Sequence, residues 1–164
     1  MYKRQREHSA GDEKLVFAPR TITRATQANE VHEAVDAPTF WRLAAGGQFA
    51  MVWQANDLCY GIRRGIEADL KAGRDVVING SRAYVPQLLQ AFPDAIVVWI
   101  EANENLLRER LEARQREQGP ALLKRLKRAK EFAPSGQAQV IRLDNSGALE
   151  VGGQRLLNIL RERK

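Results

Sequence analysis

A chain of 164 residues with 44% hydrophobic and 28% charged side chains has the size and composition of one globular domain, and no apolar run approaches the roughly 20 residues that cross a bilayer as a helix. One cysteine, Cys59, excludes an internal disulfide, and the amino-terminal residues lack the apolar centre of a signal peptide, so a cytoplasmic protein is expected. The net charge of +6, from 26 Lys and Arg against 20 Asp and Glu, points to an anionic partner, either nucleic acid or a small phosphorylated molecule, without choosing between them.

Residues 1–14 are polar and mixed in charge, with Ser9, Gly11 and Asp12 set against a helix. Leu15, Val16 and Phe17 predict a short strand stopped by Ala18-Pro19, and residues 20–24 then alternate about Ile22, which points Thr21 and Thr23 to one side. Residues 26–35 show no period and are expected to form a loop or an edge strand. Neither His8 nor His32 has a second histidine or cysteine at ligand spacing, so both are expected as solvated surface residues rather than metal ligands.

Asp36 and Pro38 predict the start of a short helix through Phe40, Trp41 and Leu43 that Gly46-Gly47 closes. Residues 48–54 read as a strand that turns at Asn56-Asp57 into Leu58, Cys59, Tyr60 and Gly61, a hairpin in which Tyr60 places a phenol beside a glycine. Residues 62–72 predict a helix with Ile66 and Leu70 on one face and Gly73 as its stop. The run Val76-Val77-Ile78, between Gly73 and Gly80, predicts a strand buried on both faces, as in a parallel sheet. Open α/β sheets bind ligands beyond the carboxyl ends of their strands, so Asn79, Ser81 and Arg82 become candidate binding residues, with an ordinary polar turn as the competing reading.

A helix over residues 86–91 leads to a second apolar strand at 95–101, and strand, helix, strand implies parallel pairing of the two by a right-handed crossover. A helix over 104–117 carries Leu107 and Leu111 on its apolar side and Arg108, Arg110, Arg114 and Arg116 around the rest. Gly119-Pro120 breaks it from a further basic helix with Leu122, Leu126 and Ala129 on one side, and the pair has the makings of a mobile flap. Residues 140–143 predict a last strand, residues 144–147 a turn, and residues 151–163 a closing helix with Leu156, Leu157 and Leu160 inward.

Several strings in order carry a resemblance: T-I-T-R at 21–24, F-A-M-V-W-Q-A-N-D-L-C-Y-G at 49–61, V-V-I-N-G-S-R at 76–82, R-L-E-A-R at 110–114, R-L-K-R-A at 125–129, and L-D-N-S-G at 143–147. From about Arg6 onward the chain resembles the ribose 1,5-bisphosphate phosphokinases, phosphonate-catabolism relatives of guanylate kinase. The resemblance implies a three-layer α/β fold of the P-loop nucleoside monophosphate kinase kind, with a parallel central sheet and helices on both faces. It treats 1–164 as a single domain, with an acceptor-binding insertion at about 20–61 and a lid at about 110–132. The implied reaction moves the γ-phosphoryl group of ATP to the 1-phosphate of ribose 1,5-bisphosphate, giving 5-phosphoribosyl 1-diphosphate, with Mg²⁺ held largely by phosphates and water.

In the guanylate kinase branch the segment like 21–24 and the tyrosine like Tyr60 hold the acceptor's phosphate, which implies substrate-binding roles for Thr21, Thr23, Arg24 and Tyr60, with Asn79, Ser81 and Arg82 beside them. A guanidinium matches phosphate through two parallel hydrogen bonds, and hydroxyls add neutral donors. By the same resemblance Arg110, Arg114 and Arg125 cancel charge on the transferring group, and Asn145 contacts the adenine. For each arginine a solvated helix face is the competing reading.

The departures are as informative. Guanylate kinases carry a second arginine shortly after a proline where this chain reads Ala25-Thr26-Gln27, so that grip is absent or supplied from elsewhere. They carry a base-binding acidic residue where Met51 stands, and an aspartate where Asn79 stands. A methionine accepts no hydrogen bond from guanine, and an unpaired buried donor costs roughly 1 to 3 kcal/mol, which favours a sugar phosphate over a nucleotide.

No G-x-x-x-x-G-K-[ST] run, the loop that cradles ATP phosphates, occurs in the sequence. The resemblance places it before the segment like residues 6–20, so the chain is expected to lack a strand, loop and helix, to be inactive alone, and to have an exposed edge beside its central strands. The alternatives are a guanylate kinase-like nucleotide kinase and a non-catalytic module binding phosphate or nucleic acid. Against nucleic acid stands the absence of aromatics interleaved with the basic helices. The partner expected is therefore a small sugar phosphate, with neither nucleic acid nor membrane.

Overall fold

The computed structural model describes residues 12–26, 30–113 and 140–162. Expectations for His8, Arg114, Arg125, the Gly119-Pro120 break and the basic helix after it lie outside the described residues. The chain divides into two compact units, residues 2–84 and 85–164.

The first unit holds β1 (Leu15–Phe17), β2 (Arg20–Ile22), β3 (His32–Ala34), α1 (Ala37–Ala45), β4 (Phe49–Ala55), β5 (Leu58–Arg63), α2 (Ile66–Lys71), β6 (Asp75–Val77) and a 3-10 turn, Arg82–Tyr84. Its main sheet runs β3-β2-β5-β4, with β2 parallel to β3 and antiparallel to β5, and β4 and β5 forming the expected hairpin. Asn56 and Asp57 both take positive φ, 51° and 58°, the left-handed pair that joins two twisted strands in a two-residue turn, and short polar side chains tolerate it best. Helix α1 starts as its sequence predicts: the Asp36 carboxylate accepts from Thr39 N–H at 2.8 Å and Pro38 sits in the first turn.

The predicted helix at 62–72 is wrong at its start. Ile62 and Arg63 remain in β5, opposite Met51 and Phe49, and Arg64 N–H still donates to the Gln48 carbonyl at 3.0 Å. Fully buried Ile62 also pairs with Arg20 of β2, so ladder partners on both sides override local helix preference. Helix α2 is left with six residues; Ile66 is buried but Leu70 is exposed, because so short a helix lays only its first turn on its neighbours.

β6 is parallel to β1, with Val16 opposite Val76. Its valines and Ile78 are half-buried rather than buried on both faces, since β1 is the strand it pairs with and the two form a two-stranded sheet.

In the second unit, α3 (Val85–Ala91) precedes β7 (Val97–Glu101), α4 (Glu104–Ala113), β8 (Val140–Asp144) and α5 (Leu149–Arg161). β7 takes β8 as its parallel partner over five residues, Val97 opposite Val140 through Glu101 opposite Asp144. Trp99, Leu143, Leu156 and Leu157 make its core. Among the described residues no helix is long and apolar enough to cross a membrane.

Candidate functional site

The four-stranded sheet has two faces, and strand alternation assigns each residue to one of them. Thr21 is opposite Glu33 and Gly61, whereas its neighbours Arg20 and Ile22 are opposite His32, Ile62 and Tyr60.

On the Thr21 face the polar groups satisfy one another. Thr21 is fully buried, and its hydroxyl donates to Glu33 Oε2 at 2.6 Å. Arg63 grips the same carboxylate with two bonds, Nε to Oε2 at 2.9 Å and Nη2 to Oε1 at 2.6 Å. This arginine pair, with the Thr21 bond added, holds the Glu33 carboxyl below its usual range and raises Arg63 in return. The Arg63 guanidinium lies 5.0 Å from the centre of the Phe49 ring, which stacks on Phe40 of α1 at 4.9 Å. Gly61 is required beneath that ring, because a Cβ there would meet Phe49 at 2.6 Å. Thr23 ends the ladder: its hydroxyl accepts from Cys59 N–H at 2.9 Å.

The other face carries the chemistry of a candidate anion site. Tyr60 stacks on Trp53 with ring centres 5.4 Å apart, and the Arg20 guanidinium sits 5.7 Å over the Tyr60 ring. Trp53 also meets Tyr84 at 5.5 Å. That contact joins the last residue of the 3-10 turn Arg82–Tyr84 to the sheet. Arg24, just beyond β2, donates from Nη2 to Glu30 Oε2 at 2.6 Å. Met51 lies on this face as well, opposite Ile62, and is 4% exposed.

His32 departs from its expectation as a solvated residue: its side chain is 1% exposed. Nε2 lies 3.1 Å from the Arg24 carbonyl and Nδ1 3.7 Å from Glu30 Oε2. A carbonyl oxygen only accepts, so Nε2 is the protonated nitrogen and donates. Spacing along the chain could not reveal this, because the ring is buried by a parallel β2–β3 register that no local pattern encodes.

Among the residues singled out from sequence, Tyr60 lies on the Arg20 face, Arg24 follows β2 and pairs with Glu30, and exposed Asn79 lies just past the carboxyl end of β6. Thr21 faces away and its single proton is given to Glu33, while Thr23 serves the backbone. No role is expected from sequence for Arg20, Glu30, Glu33 or Arg63, and His32 is expected as a solvated surface residue; strict alternation from Thr21 is the available signal for Arg20.

In the second unit, Asn145 lies in the turn after β8. Its N–H donates to the Glu101 carbonyl at 2.8 Å, and the next residue, Ser146, accepts from Asn103 N–H at 2.8 Å. Arg110 of α4 donates to the carbonyls of Asn145 at 2.8 Å and Gly147 at 3.2 Å. The Asn145 side-chain oxygen is buried without a hydrogen-bond partner among the described residues. Among the described residues no group of three or more His, Cys, Asp or Glu is placed to hold a metal ion.

The fold defines the class first. The chain aligns with the crystal structure of guanylate kinase from Anaplasma phagocytophilum at a TM-score of 0.68 and 18% identity, over 98% of this chain and 81% of that one, so it has the guanylate kinase-like α/β fold. No family model matches the sequence. Ribose 1,5-bisphosphate phosphokinase PhnN of Janthinobacterium sp. (strain Marseille) is 91% identical over 97% of this chain and 35% of its own length. The protein of the same name from Thiobacillus denitrificans is 40% identical over 94% of this chain and 82% of its own length. The chain belongs to the ribose 1,5-bisphosphate phosphokinase PhnN family, and it spans about a third of the length of the first of these relatives.

Proposed function

We propose that this chain provides the acceptor side of a phosphotransferase that moves the γ-phosphoryl group of ATP to the 1-phosphate of ribose 1,5-bisphosphate, yielding 5-phosphoribosyl 1-diphosphate in phosphonate catabolism. The observation that carries the reading is Met51, buried on the Tyr60 face where guanylate kinases present an acidic residue to guanine. With a thioether there, a guanine N–H would stay unpaired, whereas a sugar phosphate demands no acceptor at that point. Arg24 and Tyr60 hold one acceptor phosphate, and Asn79, Ser81 and Arg82 receive the rest of the molecule from the end of β6.

ATP supplies the transferred group, and Mg²⁺ travels with its phosphates. Asn145 receives the adenine amine, and Arg110 acts on that contact indirectly by fixing the turn that carries it. Arg114 and Arg125 retain the charge-cancelling roles implied by the family. Because the 164 residues contain no G-x-x-x-x-G-K-[ST] run, the chain by itself is expected to bind acceptor without turning it over.

Two calorimetric titrations test the reading, one with ribose 1,5-bisphosphate and one with GMP. Saturable binding of the sugar bisphosphate, with GMP weaker by roughly tenfold or more, is expected, the scale of one unpaired hydrogen-bonding group. Preference for GMP overturns the Met51 argument and with it the substrate.

A further inference from the structure

The family's guanylate kinase relatives hold the acceptor phosphate with two arginines from one segment, and this chain reads Ala25-Thr26-Gln27 where the second belongs. The structure places another arginine on the same side. Arg20 is opposite His32 in the β2–β3 pair and lies 5.7 Å over the Tyr60 ring; His32 in turn holds the Arg24 carbonyl at 3.1 Å. One buried imidazole thus stands between two arginines, one beside it in the ladder and one hydrogen-bonded to it through the backbone.

We propose that Arg20 is the second phosphate-binding arginine of the acceptor site and that His32 is the positioning residue that keeps Arg24 beside it. The proposal rests on the acceptor-site reading above and names a residue of that site which its motifs do not contain. The ligand chemistry is a phosphate dianion. Arg20 and Arg24 each carry five N–H donors and so can take phosphate oxygens beside the protein partners they already have, and the Tyr60 phenol adds a neutral donor. Arg24 touches Glu30 through Nη2, and a guanidinium has five N–H donors, so that one contact leaves the arginine able to receive phosphate oxygens.

The roles of the parts differ. Arg20 reaches the site by its side chain, so it acts on the ligand directly. His32 is 1% exposed and cannot meet a ligand without moving; it acts through the Arg24 carbonyl, which fixes where the chain leaves β2. The Glu30 carboxylate, near both Arg24 and His32 Nδ1, restrains the Arg24 guanidinium. Thr21, one residue from Arg20 in the chain, is directed to the opposite face by the strand's own alternation.

The test titrates the whole chain with ribose 1,5-bisphosphate and, separately, with inorganic pyrophosphate, for the wild type and for Arg20→Gln, Thr21→Val, His32→Ala and His32→Gln. Arg20→Gln is expected to weaken both ligands by roughly tenfold or more, the scale of a charge-assisted hydrogen bond, while Thr21→Val leaves affinity within about threefold. His32→Ala weakens binding, and His32→Gln, whose amide N–H reaches about where Nε2–H lies, restores most of it; a merely space-filling role predicts no such rescue. The Gln variants keep the test sound where His32→Ala does not fold. Pyrophosphate binding that depends on Arg20, with no binding of the sugar bisphosphate, would sink the substrate reading and leave this inference standing. Wild-type affinity in Arg20→Gln, or a chain that binds neither ligand, overturns it.

Discussion

The two faces of the β3-β2-β5-β4 sheet come from the same strands and use their polar groups in opposite ways. On one, Thr21, Glu33 and Arg63 saturate each other beneath the Phe40–Phe49 stack. On the other, Arg20 lies over the Tyr60 ring, which stacks on Trp53, and is opposite His32 in the ladder. A cluster whose groups are spent on one another stabilises the fold and has little left for a ligand. Adjacent residues in the sequence, Arg20 and Thr21, therefore belong to different faces.

That contrast can be broken most severely from the closed face. Phe40→Ala removes a fully buried ring and is expected to cost about 3 to 5 kcal/mol in urea unfolding. Gly61→Ala comes next, at about 1 to 3 kcal/mol, because its new methyl meets the Phe49 ring and the central strand cannot move aside freely. A Gly61→Ala variant as stable as the wild type would show that Phe49 does not press on this strand.

Smaller changes sharpen the comparison. Glu33→Gln is expected to cost about 1 kcal/mol at pH 7, a modest figure because the carboxylate is 43% exposed. The Glu33 carboxyl is lowered from its ordinary 4.5 by Arg63, so its contribution is complete above that value and is lost as pH falls through the lower folded-state value. The stability gap between wild type and Glu33→Gln should accordingly close below about pH 4.5; a gap that widens on acidification contradicts the pairing. Acceptor affinity in Glu33→Gln should stay within about twofold. Tyr60→Phe is the converse: stability within about 0.5 kcal/mol, since the stack on Trp53 survives, and binding of ribose 1,5-bisphosphate roughly five- to tenfold weaker. Equal losses of affinity in both variants would erase the distinction between the faces.

Much of this architecture is legible before any coordinates. Asp36 and Pro38 announce helix α1, Asn56-Asp57 announces the hairpin, and the leucines of the last helix show its inner side. Those features are written in contacts within a few residues. The helix read at 62–72 fails at its start because Ile62 and Arg63 take their partners from β2 and β4, more than ten residues away. The β-branched run at Val76 predicts a doubly buried strand, and it is half-buried, because composition does not state how many neighbours a strand will have.

The sequence by itself determined the kinship: T-I-T-R, the Y-G after the hairpin turn and the N-S-G turn mark the resemblance to the ribose 1,5-bisphosphate phosphokinases, and Met51 is a departure from the guanylate kinase pattern. Only the tertiary structure decided which of those residues stand together. Register places Arg20 rather than Thr21 beside Tyr60, buries His32 against Arg24, and turns Arg110 onto the carbonyls around Asn145. The reason is physical: period-two alternation states that neighbours face apart, but which side faces a ligand depends on strand partners and packing that lie far off in the chain.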